Sequence, residues 1–208
     1  MTQQSGLICG TRHRSYENIE GRSTQVAAGL GHLGIVAGDV IAILMRNDIA
    51  VFEAPYVAQA IGVYAVPINW HLTSGGIDHI LKDSKAWVLI THVDLLRYIT
   101  RSVSDGVTVL TVPTTLDLVA AYNLHSAEVE PIQGYLIWDT WLESFQPLVA
   151  PHPQVMETMM YTFGTTDLQK GVKRAPQSAE ASVKLAATRD KVYGIKSGIR
   201  ALVAGPLF

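Results

Sequence analysis

Apolar positions recur along this chain at two alternating spacings, one suited to a helix face and the other to a strand buried on both sides. Ile19, Val26, Leu30 and Leu33 follow a helical spacing after Ser15, whose hydroxyl suits an N-cap, and Gly34 supplies a stop. Gly38 and Asp39 then turn into Val40-Ile41-Ala42-Ile43-Leu44-Met45, an unbroken apolar run of the kind found in parallel sheets covered on both faces. Asn47 and Asp48 open a second helix reaching about Ile61, which Pro55 is expected to kink or shorten. Strands are predicted near residues 64–68, 86–91 and 107–112, with a helix over 74–83 between the first two. From 113 to 153 the period is lost except over 135–145, so this stretch reads as a connection carrying one helix. A strand over 157–163, a loop, a helix from 177 or 178 to about 193, a turn at 194–198 and the start of a strand at 201–204 follow. The alternation predicts an α/β fold, a layered, mostly parallel sheet flanked by helices. No repeat, low-complexity tract or linker divides it, so one domain is expected.

Composition narrows the function classes. With 48% hydrophobic and 16% charged residues among 208, the chain can bury a sizeable core. A formal net charge of -2 and the lack of any long Lys/Arg run argue against a nucleic-acid partner. The amino terminus lacks a basic segment followed by an apolar core, and the strongest apolar run, residues 40–45, is too short to span a bilayer. The lone Cys9 cannot form an intramolecular disulfide, which fits a reducing cytoplasm, the expected location. Within the apolar run Leu7-Ile8-Cys9 that thiol is a poor nucleophile.

The candidate chemistry lies in YTFGTTDLQKGV, residues 161–172. Gly164 lets a backbone approach an anion, Thr165 and Thr166 offer hydroxyls to phosphate or Mg2+, and Lys170 supplies a compensating charge. The order is not that of a Walker A loop, in which Gly precedes Lys-Ser/Thr; here Gly171 follows Lys170. Taken alone, these twelve residues fit a polar turn as well as a phosphate loop.

The stretch nevertheless resembles the signature Tyr-Thr-Ser-Gly-Thr-Thr-Gly-x-Pro-Lys-Gly-Val of AMP-forming acyl-CoA synthetases, in the superfamily that includes luciferases and peptide-synthetase adenylation domains. Eight of its eleven specified positions are present, with Phe163, Asp167 and Gln169 standing for Ser, Gly and Pro. The likeness continues, in the family's order, through SYENIEGRSTQVAAGLGHLGIVAGDVIAILMRN, YAVPINWHLTSGGIDHILKDSKAWVLIT and AATRDKVYGIKSGIRALVAGPLF. It implies phosphate binding by Thr162, Gly164, Thr165, Thr166, Lys170 and Gly171, with Thr166 as a Mg2+ contact. It also implies ATP and Mg2+ as cofactors, CoA as co-substrate and a fatty, aromatic or steroid-like carboxylic acid as substrate. By the same likeness, residues 1–208 correspond to a partial amino-terminal, AMP-binding domain. Most of the acyl pocket, the ribose-gripping acid, the hinge and the carboxy-terminal domain with its catalytic Lys would lie elsewhere, so no catalytic residue is assigned here.

Two departures oppose ATP. At about 6 Å and an effective dielectric near 20, the charge of Asp167 costs roughly 3 kcal/mol per phosphate charge before screening. Phe163 forfeits a hydrogen bond to a charged group worth roughly 1.5–3 kcal/mol. Gln169 in place of Pro loosens the loop. Two readings stay open: the amino-terminal segment of a carboxylate-CoA ligase, or a non-catalytic remnant or binding subunit that keeps the fold. A segment cut from a larger domain would also expose apolar surface near its carboxy terminus and self-associate or bind a partner.

Other residues carry weaker signals. Among seven His, no pair has finger or zincin spacing, and His71, eight residues before His79, reads as packing in a loop after a strand. Trp138, Trp141 and Phe145 read as core or as an acyl channel. Lys173 and Arg174 read as phosphate helpers or as a solvated hairpin.

Overall fold

The chain opens with an antiparallel hairpin absent from the pattern above, β1 (Gly6–Cys9) and β2 (Arg12–Ser15), turned at Gly10 with φ of 58°. The computed structural model describes residues 5–100, 103–148, 156, 158–162, 169–176, 178–205 and 207. Ser15 caps α1 (Tyr16–His32), its hydroxyl accepting from the Asn18 amide at 3.2 Å, and Ile19, Ser23, Val26, Ala27 and Leu30 form the buried stripe. All five residues of β3 (Val40–Leu44) are buried, as a strand covered on both faces requires. Asp48 starts α2 (Ile49–Ile61) by accepting from the Ile49 amide at 2.6 Å, and Gly62, with φ of 70°, ends it in the left-handed conformation. The helix reaches Ile61 as expected and passes through Pro55, which does not shorten it. Burial of Ala54, Val57 and Ala58 on either side offsets a Pro cost of about 3 kcal/mol.

The next elements follow the predicted order: β4 (Tyr64–Pro67), α3 (Ser74–Ser84), β5 (Val88–His92), α4 (Val93–Ile99) and β6 (Thr108–Val112), of which α4 was not anticipated. Thr73 caps α3, and Ile77, Ile80, Leu81 and Ser84 are its buried face. Beyond β6 the expected single-helix connection is instead α5 (Leu116–Tyr122), α6 (Ser126–Val129), β7 (Leu136–Ile137) and α7 (Trp138–Leu142). Elements of two to seven residues are too short to establish a period. A hairpin of β8 (Met160–Thr162) and β9 (Lys170–Val172) follows, then α8 (Ala179–Tyr193), capped by Ser178 and ended at Gly194 with φ of 64°. Residues 201–204 do not form the expected strand. They meet no ladder partner among the described residues, Leu202 is 91% exposed, and a strand's backbone groups need such a partner.

Five strands pair in parallel in the order β4-β3-β5-β6-β7. Alternate side chains serve opposite layers: Ile41 and Ile43 pack with α1, α2 and α7 through Leu30, Ala54, Val57 and Trp138. Val40, Ala42 and Leu44 pack with α3 and α4 through Ile77, Ile80, Leu96 and Ile99. No described helix is long and apolar enough to cross a membrane.

One buried charge ties the first layer together. The Glu53 carboxylate on α2 is fully buried and accepts from Arg14 on β2, from Arg22 Nε on α1 at 2.7 Å and from Trp138 Nε1 on α7 at 2.8 Å. Arg22 also pairs with Asp139 at 2.5 Å. Burial works against the Arg22 charge, but Glu53 and Asp139 more than offset it and hold its pKa above the ordinary guanidinium value.

Candidate functional site

The phosphate-loop sequence is carried by the β8/β9 hairpin, a two-stranded antiparallel ribbon separate from the five-stranded sheet. Its register pairs Met160 with Val172, Tyr161 with Gly171 and Thr162 with Lys170. Thr162 and Lys170 are therefore directly opposite, at the end of the ladder next to the connecting residues 163–169. Directly paired residues present their side chains on the same face with Cβ atoms roughly 5 Å apart. Both are exposed, as are Met160 and Val172 on that same face. The hairpin thus presents a hydroxyl beside an ammonium to solvent, a donor set that fits a phosphate group.

Two expectations are corrected here. Lys170 opens β9 and does not lie in the loop, because its backbone finds a ladder partner in Thr162. The strand expected over 157–163 is three residues long, matching the three-residue length of β9, and it is not a strand of the parallel sheet. Of the predicted site residues, the structure brings together Thr162, Lys170 and Gly171. Gly164, Thr165 and Thr166, with the Mg2+ contact assigned to Thr166, lie outside the described residues, as do Phe163 and Asp167. Among the described residues no group of three or more His, Cys, Asp or Glu side chains could hold a metal ion.

The inner face of the hairpin is fastened to the sheet's β4 edge and to α3. The Met159 amide donates to the Ala65 carbonyl at 2.9 Å, and the Tyr161 hydroxyl donates to Asp83 Oδ2 at 2.7 Å. Burial, and then the Asp83 charge, push the Tyr161 phenol well above its ordinary value, so it remains a donor. His79 Nε2 lies 2.9 Å from the Gln169 carbonyl, which can only accept, so that nitrogen carries the proton. Gly171 leaves space that the Met159 and Tyr161 side chains fill: a Cβ there would lie against Met159 Cε and within 2.7 Å of Tyr161 Cζ. Lys173, a candidate phosphate helper, is directed back into the body, its Nζ 4.2 Å from the Tyr64 ring centre and 3.3 Å from the Gly38 carbonyl. The Arg174 carbonyl accepts from the Tyr64 hydroxyl at 3.2 Å.

The aromatic candidates are packing residues. Trp138 and Trp141 are buried with ring centres 6.5 Å apart, and Phe145 packs on Trp141 at 5.1 Å over Gly29. His71 stacks on Trp70 at 3.6 Å in the loop after β4.

A second polar cluster, not anticipated, lies at the carboxyl ends of β3 and β5, where the strand order reverses and β4 and β5 flank β3. Arg46 Nε and Nη2 reach Asp94 Oδ2 at 2.9 and 2.8 Å, and Thr114 donates to the other Asp94 oxygen at 2.7 Å. The guanidinium lies over the rings of Tyr122 and Trp70, 4.0 and 4.4 Å from their centres. His92 Nδ1 accepts from the Arg46 amide at 3.1 Å, which leaves the proton on Nε2, 3.4 Å from Asp48. Arg12 bridges Asp48 at 2.7 Å and Asp117 at 3.3 Å. These groups are remote in sequence, and the only available signal was a set of charged residues placed directly after strands.

Burial alone would raise the Asp48 pKa, but hydrogen bonds from His92, Arg12 and the Ile49 amide pull it below the ordinary carboxylate value. A depressed folded-state pKa contributes stability that is fully present above the unfolded value, about 3.9, and is lost as pH falls through the folded value. Asp48→Asn keeps the helix cap and removes the titration. Urea denaturation from pH 7 down to about pH 2 should therefore show a shallower acid loss in the variant than in the wild type. Parallel curves below about pH 4 would contradict this account of Asp48.

Comparison with known proteins adds an independent line. The sequence profile of the AMP-binding enzyme family matches residues 3–208. The chain is 25% identical over 175 residues to the fatty acid–[acyl-carrier-protein] ligase ScoC of Streptomyces coeruleorubidus, covering 83% of this chain and 30% of that protein. It is 30% identical over 173 residues to a 4-coumarate–CoA ligase of Vanilla planifolia, covering 81% and 29%. The structure of a benzoate CoA ligase from Burkholderia xenovorans superposes with a TM-score of 0.69 at 19% identity, over 92% of this chain and 35% of that one. That likeness speaks to the fold. The chain spans about 30% of the length of these two curated relatives.

Proposed function

The chain belongs to the AMP-binding enzyme family, and from that premise we propose that residues 1–208 are part of the amino-terminal, AMP-binding domain of an ATP-dependent carboxylate–CoA ligase. The observation that carries the reading is the Thr162 and Lys170 pair on the exposed face of the hairpin, within a signature that keeps eight of eleven positions. ATP phosphates would be held by Thr162, Gly164, Thr165, Thr166, Lys170 and Gly171, with Thr166 toward Mg2+. Bound Mg-ATP supplies the adenylyl group that activates a carboxylate, with CoA as the later acyl acceptor. The chain's own residues hold and orient the phosphates and compensate their charge. Relatives named for fatty acids and 4-coumarate support a fatty or aromatic acid, with a steroid-like acid in the same class of large apolar carboxylates. A cytoplasmic location fits the lone Cys9.

Phe163 and Asp167 favour a second reading for the isolated polypeptide, a non-catalytic remnant or binding subunit that keeps the fold without adenylation. ATP–pyrophosphate exchange, measured with a panel of fatty and aromatic acids, is expected to stay at background for the 208-residue chain. Exchange above background with any acid would overturn that second reading. A reading frame continuing past the Phe208 codon into the family's remaining motifs would mark a split or miscalled ligase.

The carboxy-terminal segment also supports an interaction proposal. Val183, Leu185, Val192 and Tyr193 of α8 are 57–74% exposed, and Leu202 is 91% exposed. An isolated helix of this length is marginal in water and gains stability from packing, so this surface would self-associate or take a partner. Light scattering should show mass increasing with concentration; a strict monomer at high concentration would count against it.

A further inference from the structure

We infer that α3 fixes the position of the β8/β9 hairpin, with His79 and Asp83 as positioning residues for the Thr162 and Lys170 pair. The inference rests on the nucleotide reading above. His79 and Asp83 are four residues apart on α3 and so share one helix face. That face touches both arms of the hairpin. Asp83 holds the Tyr161 hydroxyl, one residue before Thr162, and His79 holds the Gln169 carbonyl, one residue before Lys170. The two bonds bracket the residue pair offered to phosphate.

External ties are needed because the ribbon is small. Two antiparallel strands of three residues, exposed on one face, do not hold a register unaided. The absent side chain at Gly171 leaves room for the Tyr161 ring, whose hydroxyl reaches Asp83. On the sheet side, the Met159–Ala65, Tyr64–Arg174 and Lys173–Gly38 bonds hold the start of β8 and the residues after β9, the end of the hairpin away from Thr162 and Lys170. Correct spacing of Thr162 and Lys170 at the other end therefore falls to α3. Phosphate binding depends on such spacing, whereas the core beneath does not.

The test uses the full chain carrying Phe163→Ser and Asp167→Gly, so that Mg-ATP affinity is measurable. Amide exchange at residues 169–172 and calorimetric Mg-ATP affinity are read for His79→Leu and for His79→Gln, whose amide nitrogen can donate to the same carbonyl. His79→Leu should speed exchange at 169–172 and weaken Mg-ATP about fivefold, as loss of one hydrogen bond allows, with exchange in β3 unchanged. His79→Gln should recover both. Unchanged exchange at 169–172 in His79→Leu would overturn the tie, and faster exchange with unchanged affinity would overturn the positioning role. If His79→Leu does not fold, failure of His79→Gln to match its parent in both readouts overturns the inference. Mg-ATP binding that is absent in every variant, or indifferent to Lys170→Ala, removes the nucleotide reading instead, and exchange alone then decides whether α3 holds the hairpin.

Discussion

Replacing Glu53 by Ala is expected to remove roughly 3–5 kcal/mol of folding stability and to lower the thermal midpoint by roughly 6–20 °C. The side chain is fully buried and binds Arg14, Arg22 and Trp138 from three elements, so its loss takes this counter-ion from Arg14, leaves Arg22 with Asp139 alone and strands the buried Trp138 Nε1 donor. An exposed ion pair would contribute at most about 1 kcal/mol, and the difference in size separates the two descriptions. Glu53→Gln keeps the volume and one acceptor and should recover part of the loss. Calorimetric scans of the three proteins provide the check, and an Ala variant within about 2 °C of wild type would show that the network contributes little.

Local chemistry and continuous burial made much of this fold legible. Ser15 and Asp48 act as caps, and β3 is buried on both faces, as its unbroken apolar run indicates. The β1/β2 hairpin was missed because Arg12-His13-Arg14-Ser15 carries no apolar rhythm, its partner being another short strand. The polar cluster around Asp48 was missed for a different reason: Arg46 and His92 are 46 residues apart and meet only once parallel pairing sets β3 beside β5. At the candidate site the residue types were legible as a motif. Its geometry was not, since three residues after Gln169 give no strand period, and only the pairing with Thr162 shows that Lys170 opens a strand.

The second large effect concerns the departures in the loop. Phe163→Ser together with Asp167→Gly should strengthen Mg-ATP binding at least about tenfold, or roughly 1.4 kcal/mol, which requires less than half of the penalties given above. The gain should shrink as salt is raised, because the Asp167 contribution is a repulsion between charges that salt screens. Acyl-CoA formation by the 208-residue polypeptide is expected to stay at background in both proteins. Equal affinities for the wild type and the double variant, or tight binding by the wild type, would show that Phe163 and Asp167 are harmless and would remove the main support for a non-catalytic reading.

In the proposed function, the β8/β9 hairpin holds nucleotide phosphate through Lys170. A cation about 4 Å from a phosphate charge contributes up to about 4 kcal/mol at an effective dielectric near 20, before screening. The direct measurement is calorimetric titration of Mg-ATP, at matched salt, into the Phe163→Ser/Asp167→Gly chain with and without Lys170→Ala. A fall in affinity of at least about tenfold on removing Lys170 is the predicted result. Unchanged affinity would contradict the assignment, and with it the nucleotide reading of the whole loop.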